Sequence, residues 1–293
     1  MRRVLITGIT GYIGAHLARN LLPDCEVCGL VREPRNLEYL GDIHSSIRFV
    51  GYDGTYTCME AAIESCQPDL VYHLAAYYTG GRSPEQLASL LDANIVLGAH
   101  LLEAMAEHKI PALVWASTVM AHYRGKPYCP LNLYAATKQA FSDLLAYYTD
   151  AGLLRAVTLV LSDTYGPGDH RPKILNLIRN AAETGEKIAL STGAQDYDVV
   201  YIDDVVSAFR IAGEQLLRGE YQDAVFQIVP ECRLTLRETV EKMLQVNRLA
   251  LNAGWGERPA SQREMPEKIR LYQSLPNWKA RVSLKEGLRK MCE

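Results

Sequence analysis

The sequence predicts an α/β fold, a doubly wound parallel sheet followed by a smaller C-terminal lobe. In the first half of the chain, short β-branched runs alternate with segments of helical periodicity. Strands joined by crossover helices form a parallel sheet that is covered on both faces. After residue 161 the alternation becomes irregular, and glycines and prolines accumulate towards the C-terminus. We therefore expect a sheet domain at 1–161 and mainly a lobe at 162–293, with a segment at about 200–230 returning to the core.

The predicted elements follow this pattern along the chain. Strands are expected at 3–7, 26–31, 46–50, 70–74, 112–116 and 156–161. Helices are expected at 12–22, 84–108 and 134–150, and in the lobe at 173–184, 204–214 and 236–245. Ligands of such sheets bind at the carboxyl ends of the strands, so the lobe is expected to cap that edge and to bind substrate.

The composition is that of an ordinary globular chain. Of 293 residues, 48% are hydrophobic and 22% are charged, with a formal net charge of −3. This balance predicts no bulk attraction to nucleic acid or to a membrane, and no run reaches the roughly 18 consecutive apolar residues of a membrane helix. We therefore expect neither partner.

The cysteines and histidines indicate the cellular location and argue against redox and metal sites. The seven cysteines are odd in number and scattered, which favours a reducing, cytoplasmic location. Cys25 and Cys28 form a CxxC, but they fall on a predicted strand, so we interpret them as ordinary strand residues. The seven histidines lack metal-ligand spacing such as HExxH, and we expect no metal.

The first strand leads directly into a glycine loop. Gly8, Gly11 and Gly14 stand at GxxGxxG spacing between this strand and the first helix. Gly8 permits the tight turn, Gly11 lets backbone approach a pyrophosphate, and Gly14 allows the helix to pack closely on the strand. The helix N-terminus then offers free N–H groups to the phosphates. The arrangement predicts a dinucleotide site of the Rossmann type.

The end of the second strand indicates which dinucleotide binds. An acid usually stands there and binds the ribose 2′-hydroxyl of NAD. Here Val31 occupies that place, followed by Arg32 and, further on, Arg35. Arginines suit a 2′-phosphate, so NADP(H) is favoured. NAD(H) stays open because Glu33 lies only one place late, and the arginines also fit a solvated loop.

Tyr134 and Lys138 stand at YxxxK spacing at the start of a predicted helix, on one helical face. A lysine ammonium there is expected to lower the pKa of the phenol from its ordinary value of about 10. Tyr134 would then exchange a proton with a carbonyl or an alcohol near neutral pH. A hydroxyl at the end of the fifth strand can bond the same oxygen. We choose Thr118, with Ser117 as the alternative, although either also fits a turn cap.

In their order and spacing, these motifs resemble the extended short-chain dehydrogenases/reductases, which include nucleotide-sugar epimerases, dehydratases and reductases. The matching segments are Thr7 to Gly14, His73 to Ala76, Asn94 to Gly98, Ser117-Thr118, Tyr134 to Lys138, Tyr165 to Pro167, Tyr201 to Asp204, and Trp278 to Leu288. The resemblance implies Thr118, Tyr134 and Lys138 as catalytic residues. It implies a cofactor-binding set of Gly8, Thr10, Gly11, Tyr12, Ile13, Arg32, Arg35, Asp53, Gly54, Leu74, Ala75, Ala76, Asn94, Tyr134 and Lys138.

Within this set the resemblance assigns individual roles. Asp53 would meet the adenine, Ala75 and Ala76 would form the wall beside the cofactor, and Asn94 would lie on the helix behind the nicotinamide. Lys138 would also bind the nicotinamide ribose. The substrate-binding residues implied are Tyr78, Thr118, Asp163, Arg171, Lys173 and Arg258. The three cations would hold substrate phosphates, although each also fits an exposed loop.

One subgroup of the family resembles this chain in particular. Val119 and Met120 stand where dehydratases carry an Asp-Glu pair, which argues against dehydration. The stretch Leu161 to Lys173 is similar to CDP-abequose and CDP-paratose synthases. Those enzymes reduce the C4 ketone of a CDP-4-keto-3,6-dideoxy sugar with NADPH, and the resemblance implies the same reaction here. A 4-epimerase that retains NAD is the first alternative, and a non-catalytic cofactor sensor is the second.

The resemblance also implies a homodimer. In relatives, the helices corresponding to 84–108 and 134–150 form a four-helix bundle between two subunits. Packing within one chain would account for the same apolar residues.

Overall fold

Seven parallel strands form the central sheet of the computed structural model, which describes residues 1–32, 36–81, 83–230, 234–259, 263 and 269–293. In chain order, and including the four strands that lie outside this sheet (β7, β8, β9 and β11), the strands of the described residues are β1 (Arg2–Thr7), β2 (Cys25–Val31), β3 (Arg48–Gly51), β4 (Leu70–His73), β5 (Ala112–Thr118), β6 (Arg155–Leu161), β7 (Asp163–Tyr165), β8 (Ile188–Leu190), β9 (Val199–Tyr201), β10 (Asp223–Ile228) and β11 (Ala253–Trp255). The sheet order is β10-β6-β5-β4-β1-β2-β3, which confirms the doubly wound α/β fold.

The helices that connect these strands cover both faces of the sheet. They are α1 (Tyr12–Leu21), α2 (Tyr56–Cys66), α3 (Pro84–Leu91), α4 (Leu97–Glu107), α5 (Leu133–Asp150), α6 (Ile174–Thr184), α7 (Ile202–Leu217), α8 (Leu236–Asn247) and α9 (Leu284–Met291). On one face α1 packs with α7, and on the other α4 packs with α2 and α5. Burial from both sides explains why strands such as β4 and β5 are almost continuously apolar.

The C-terminal part contributes to the main sheet as well as to the lobe. In the lobe β7 pairs with β9 and β8 pairs with β11. Strand β10 instead pairs in parallel with β6 at the edge of the central sheet. The segment around 200–230 thus holds α7 and β10, and both lie against the sheet domain.

Several elements differ from the sequence expectation. The helix expected at 84–108 is interrupted by a π-helical turn at Asp92–Val96, which separates α3 from α4. Helix α2 lies where we named no helix, because only four of its eleven residues are buried and its apolar periodicity is weak. Cys25 and Cys28 lie on β2 with their side chains in the cores on opposite faces of the sheet, so they do not face each other.

The helical segment Pro84–Glu107 is long and apolar enough to cross a membrane, judged by length and composition, with a mean hydropathy of 1.3. A hydropathy window tolerates a few polar positions, whereas a count of consecutive apolar residues does not. In this structure 44% of the window is buried, and Leu97 and Leu101 pack in the core beneath the sheet. The absence of a membrane partner stays a prediction.

Candidate active site

A cavity of about 510 Å³ lies at the carboxyl ends of β1, β4, β5 and β6. It brings together a large part of the residues implied by the sequence. Those that line it are Gly8, Gly11, Tyr12, Ile13, Leu74, Ala76, Tyr78, Thr118, Tyr134, Lys138, Asp163, Arg171 and Lys173. The glycine loop and the Tyr134/Lys138 pair therefore share one cavity.

Position 8 requires glycine for two reasons: its own backbone conformation and the close approach of the backbone of the loop after β4. Its φ is +71°, and a Cβ placed on it would lie 2.6 Å from the backbone nitrogen of Ala75. A Cβ on Gly14 would lie 2.2 Å from the carbonyl oxygen of Gly8. Both positions therefore exclude any side chain, and the chain between them forms a tight turn at the start of α1.

The start of α1 fits a pyrophosphate. Gly11 is its N-cap, no side chain of the described residues caps it, and a Cβ on Gly11 would meet only the Gly8 carbonyl, at 3.3 Å. Gly11 and the first-turn residues Tyr12, Ile13 and Gly14 all line the cavity. An open helix N-terminus with no side chain in front of it is a favourable place for phosphate oxygens.

The loop after β4 is tied to the end of β1. The Thr7 hydroxyl accepts a hydrogen bond from the Ala75 N–H at 3.1 Å and lies 2.7 Å from Nδ1 of His73. Burial, helped by Lys138, lowers the pKa of His73 to about 3, so this ring is neutral. Since Thr7 accepts from Ala75, its own proton can be donated to Nδ1. This network holds residues 74–76 against the glycine loop.

Asn94 clamps the same loop from behind. Its Oδ1 accepts from the Tyr77 N–H at 2.8 Å, and its Nδ2 donates to the Tyr77 carbonyl at 3.0 Å and to Thr137 Oγ1 at 2.9 Å. Asn94 lies in the π-helical turn and is 2% exposed. It therefore joins the loop after β4 to α5, one residue before Lys138, and does not itself line the cavity.

Tyr134 and Lys138 lie in the first turns of α5, whose N-cap Asn132 accepts a hydrogen bond from the Ala135 N–H. Burial lowers the pKa of Lys138 to about 7. Burial also raises the pKa of Tyr134 to about 12, with Tyr78 and Asp163 adding to the rise. The expectation that Lys138 lowers the phenol pKa is therefore wrong in this structure, because desolvation of the phenolate dominates and the cation that opposes it is Arg171.

Thr118 and Ser117 end β5 at the cavity wall, and both are almost fully buried. The Thr118 hydroxyl oxygen accepts a hydrogen bond from the Met120 N–H at 3.2 Å and so caps the short turn Val119–Ala121. That bond uses an oxygen lone pair and leaves the hydroxyl proton available. The cap and a hydrogen bond to a ligand oxygen are thus compatible.

The cations on the lobe side of the cavity already have carboxylate partners. Lys173 forms an ion pair with Asp163, and Arg171 forks onto Asp169 with both contacts at 2.7 Å. The Arg171 guanidinium also lies 4.7 Å from the ring centroid of Tyr12 at the start of α1. These cations are therefore held in place by the protein, and Arg171 touches the glycine-loop helix.

Other implied residues lie away from the cavity. Thr10, Arg32, Asp53, Gly54, Ala75, Asn94 and Arg258 are not among its lining residues. Arg32 and Asp53 follow β2 and β3, farther along the same sheet edge, and Asp53 accepts hydrogen bonds from the N–H and hydroxyl of Thr55. Arg258 is exposed beyond β11. Arg35 lies outside the described residues.

Sequence reasoning missed the lobe residues that close the cavity. Asp196, Tyr197 and Asp198 line it from the loop before β9, and Ile269 lines it from the C-terminal segment. Tyr197 bonds to Asp163, which holds this loop beside the Asp163–Lys173 pair. Tyr197 stands four residues before the Tyr201-Ile-Asp-Asp204 motif, and that spacing could have drawn attention to it. Among the described residues no group of three or more metal-binding side chains is assembled.

A helix start open to phosphate that shares a cavity with Tyr134, the buried Lys138 and a threonine hydroxyl is the arrangement of an α/β protein with a dinucleotide site. Residues 4–227 match the model of the NAD dependent epimerase/dehydratase family. The chain belongs to this family, which confirms the family predicted from the motifs.

The relatives and solved structures that this chain resembles include a CDP-abequose synthase and a UDP-glucose 4-epimerase. The CDP-abequose synthase of Yersinia pseudotuberculosis is 27% identical over 258 residues, which are 86% of this chain and 88% of that protein. MoeE5, solved in complex with UDP-glucuronic acid and NAD, is 25% identical with a TM-score of 0.83, over 99% of this chain and 97% of its own. The UDP-glucose 4-epimerase of Thermus thermophilus, in complex with NAD, has the same TM-score and coverage at 24% identity and shows a shared fold.

Proposed function

We propose that the chain is an NADPH-dependent reductase of the C4 ketone of a nucleotide-linked 4-keto-deoxysugar similar to CDP-4-keto-3,6-dideoxyglucose. The observation that carries the proposal is that the largely desolvated Tyr134 phenol shares one cavity with Thr118 and with the glycine loop. Burial keeps that phenol protonated at neutral pH, as a proton donor to a ketone requires. The similarity to a CDP-abequose synthase supports the substrate class.

The chain's own residues would hold the reactants and move one proton. The first turn of α1 and the glycine loop would bind the cofactor pyrophosphate, and Lys138 would bind the nicotinamide ribose. When bound, NADPH supplies the hydride that forms the new C–H bond at C4. Thr118 donates a hydrogen bond to the ketone oxygen, and Tyr134 transfers its proton to that oxygen, so the carbonyl becomes an alcohol. Charge develops on one oxygen, and two positioned donors stabilise it by several kcal/mol.

The preference for NADPH rests on the end of β2. Val31 leaves the usual acid position without a carboxylate, and Arg32 follows it as an exposed cation. MoeE5 and the Thermus epimerase were solved with NAD, which keeps NADH as the alternative. Replacing Arg32 by alanine should weaken NADPH binding more than NADH binding.

The Asp163–Lys173 pair and Arg171 would meet the substrate diphosphate. A phosphate that enters can bind Lys173 or Arg171 only by competing with the carboxylate already bound to that cation.

We also propose a homodimer through α3, α4 and α5. The exposed apolar residues of this region are Leu87 and Leu91 on α3, Val96 in the π-helical turn before α4, and Leu133 and Tyr147 on α5.

The test is an NADPH-oxidation assay with CDP-, dTDP-, UDP- and GDP-linked 4-ketosugars, with the product stereochemistry determined by NMR. Turnover with a CDP-linked ketosugar is the expected result. Tyr134→Phe should abolish it while NADPH still binds through the glycine loop and Lys138. A purified protein that carries tightly bound NAD and converts a nucleotide sugar without added reductant would instead establish the 4-epimerase.

A further inference from the structure

Lys138 rests on an aromatic face inside the protein. Its Nζ lies 4.7 Å from the ring centroid of Trp115, which stands on β5 three residues before Thr118. Lys138 is 3% exposed and Trp115 is fully buried. An ammonium group within about 6 Å of an indole centroid is attracted by the negative face of the ring, most strongly where water is excluded.

Few other groups stabilise the Lys138 ammonium. Among the described residues none forms an ion pair with Lys138, and burial lowers its pKa. The titratable group that interacts with it is His73 on β4, which is neutral, and Tyr134 on its own helix lines the same cavity and is protonated. Asp163 and Arg171 lie across the same cavity and are engaged with Lys173 and Asp169. The indole face is therefore the group in direct contact with the charge.

The ring is also held in orientation. Trp115 lies 4.9 Å from Phe141, and Phe141 lies 4.9 Å from His73, both measured between ring centroids. The indole Nε1 is buried and has no hydrogen-bond partner among the described residues. A smaller aromatic residue would avoid that unpaired N–H, so hydrogen bonding does not explain a tryptophan here, whereas its large π face does.

We propose that Trp115 is a positioning residue that keeps Lys138 in its ammonium form at the cofactor site through a buried cation–π contact. The effect on Lys138 is a property of the protein alone. Its consequence for turnover rests on the proposed function, because a neutral Lys138 would no longer stabilise the phenolate left after proton transfer.

The direct measurement is the titration of Lys138 itself. Protein labelled with 13C at lysine Cε is titrated by NMR, and the Lys138 resonance is assigned by its absence in Lys138→Met. Trp115→Leu should lower the midpoint by about one pH unit, and Trp115→Phe, which keeps a weaker π face, by less. Phe141→Leu is the matched control, since it removes a ring of the same cluster that does not lie over the ammonium. An unchanged midpoint in folded Trp115→Leu would refute the proposal.

A second measurement avoids a cavity in the core. Fluorinated tryptophans withdraw electron density from the ring at nearly constant shape, so the fold should be retained even where Trp115→Leu does not fold. The Lys138 midpoint should fall stepwise with the number of fluorines. A midpoint that does not respond to fluorination would overturn the inference. Trp255 and Trp278 are labelled too, but the readout is specific to Lys138.

The two proposals fail in different ways. If the Lys138 midpoint shifts as expected and no ketosugar is reduced, the cation–π contact stands and the proposed function is wrong. If ketosugars are reduced but the midpoint is insensitive to Trp115, the function stands and this inference is wrong.

Discussion

Asp163 and Lys173 form an ion pair at the lobe side of the cavity, and both side chains are partly buried, at 24% and 36% exposed. Asp163 is also bonded to Tyr197 and lies close enough to Tyr134 to raise the pKa of its phenol. One carboxylate thus restrains the cation that faces the proposed substrate phosphates and influences the proposed proton donor.

Replacing Asp163 by asparagine should therefore improve the binding of a nucleoside diphosphate. Lys173 loses its competing partner, and the cavity loses one negative charge. A gain of about fivefold is expected, which corresponds to about 1 kcal/mol for a partly exposed charge pair. Isothermal titration calorimetry with CDP measures it directly.

Asp196→Asn is the control for this experiment, because Asp196 lines the same cavity and the charge change is identical. If both variants gain equally, the effect is the general field of the cavity rather than release of Lys173.

Gly8→Ala should destroy the cofactor site. The methyl group would clash with the backbone of Ala75, and alanine is strained at φ +71°. A loss of about 1–3 kcal/mol in the free energy of unfolding is expected from the strain alone, together with loss of NADPH binding. Urea unfolding and fluorescence titration with NADPH measure the two effects.

Gly11→Ala separates the loss of stability from the loss of NADPH binding. A Cβ at Gly11 meets only the Gly8 carbonyl, so the variant should fold with nearly normal stability while its methyl group obstructs the pyrophosphate. If Gly11→Ala binds NADPH as well as the unmodified protein does, the phosphates do not lie at the start of α1.

The glycine loop and the Tyr134/Lys138 pair could be predicted because their chemistry depends on local spacing. A strand, a turn and a helix start fix the first, and one helical turn fixes the second. The sequence could not predict that Asp163 pairs with Lys173 or that Tyr197 closes the cavity. Both features depend on how the loop before β9 folds over the cavity. The direction of the Tyr134 pKa shift could not be predicted from the sequence either, because desolvation depends on how the surrounding residues pack.

Asn94→Ala should loosen the wall of the cofactor site. The substitution leaves the part-buried N–H and carbonyl groups of Tyr77 and the buried hydroxyl of Thr137 without their amide partner. A loss of about 1–3 kcal/mol in the free energy of unfolding is expected from these unpaired polar groups. Hydrogen exchange should show faster exchange of the Tyr77 amide.

Asn247→Ala is a control with the same chemistry in a different place, since its side-chain amide donates to the carbonyls of Met243 and Leu288 far from the cavity. It should lower stability without changing the Tyr77 amide. Equal exchange at Tyr77 in both variants would mean that Asn94 does not hold this loop.

Lys138→Met should make the protein more stable and inactive. Burial lowers the pKa of Lys138 from 10.5 to about 7, so the unfolded chain binds more protons than the folded one between these values. The buried charge therefore costs stability at and below pH 7, and the cost disappears as the pH rises towards 10.5. At pH 7 the variant should gain about 4 kcal/mol in the free energy of unfolding.

The dependence on pH distinguishes this explanation from better packing by methionine. Urea unfolding at several pH values should show the gain of Lys138→Met over the unmodified protein shrinking steadily between pH 7 and pH 10, with NADPH-dependent turnover absent throughout. A gain that stays constant over this range would mean that the Lys138 ammonium costs nothing in the folded state. Since Lys138 is also proposed to bind the nicotinamide ribose, NADPH affinity should fall in this variant, although the glycine loop at the start of α1 is unchanged.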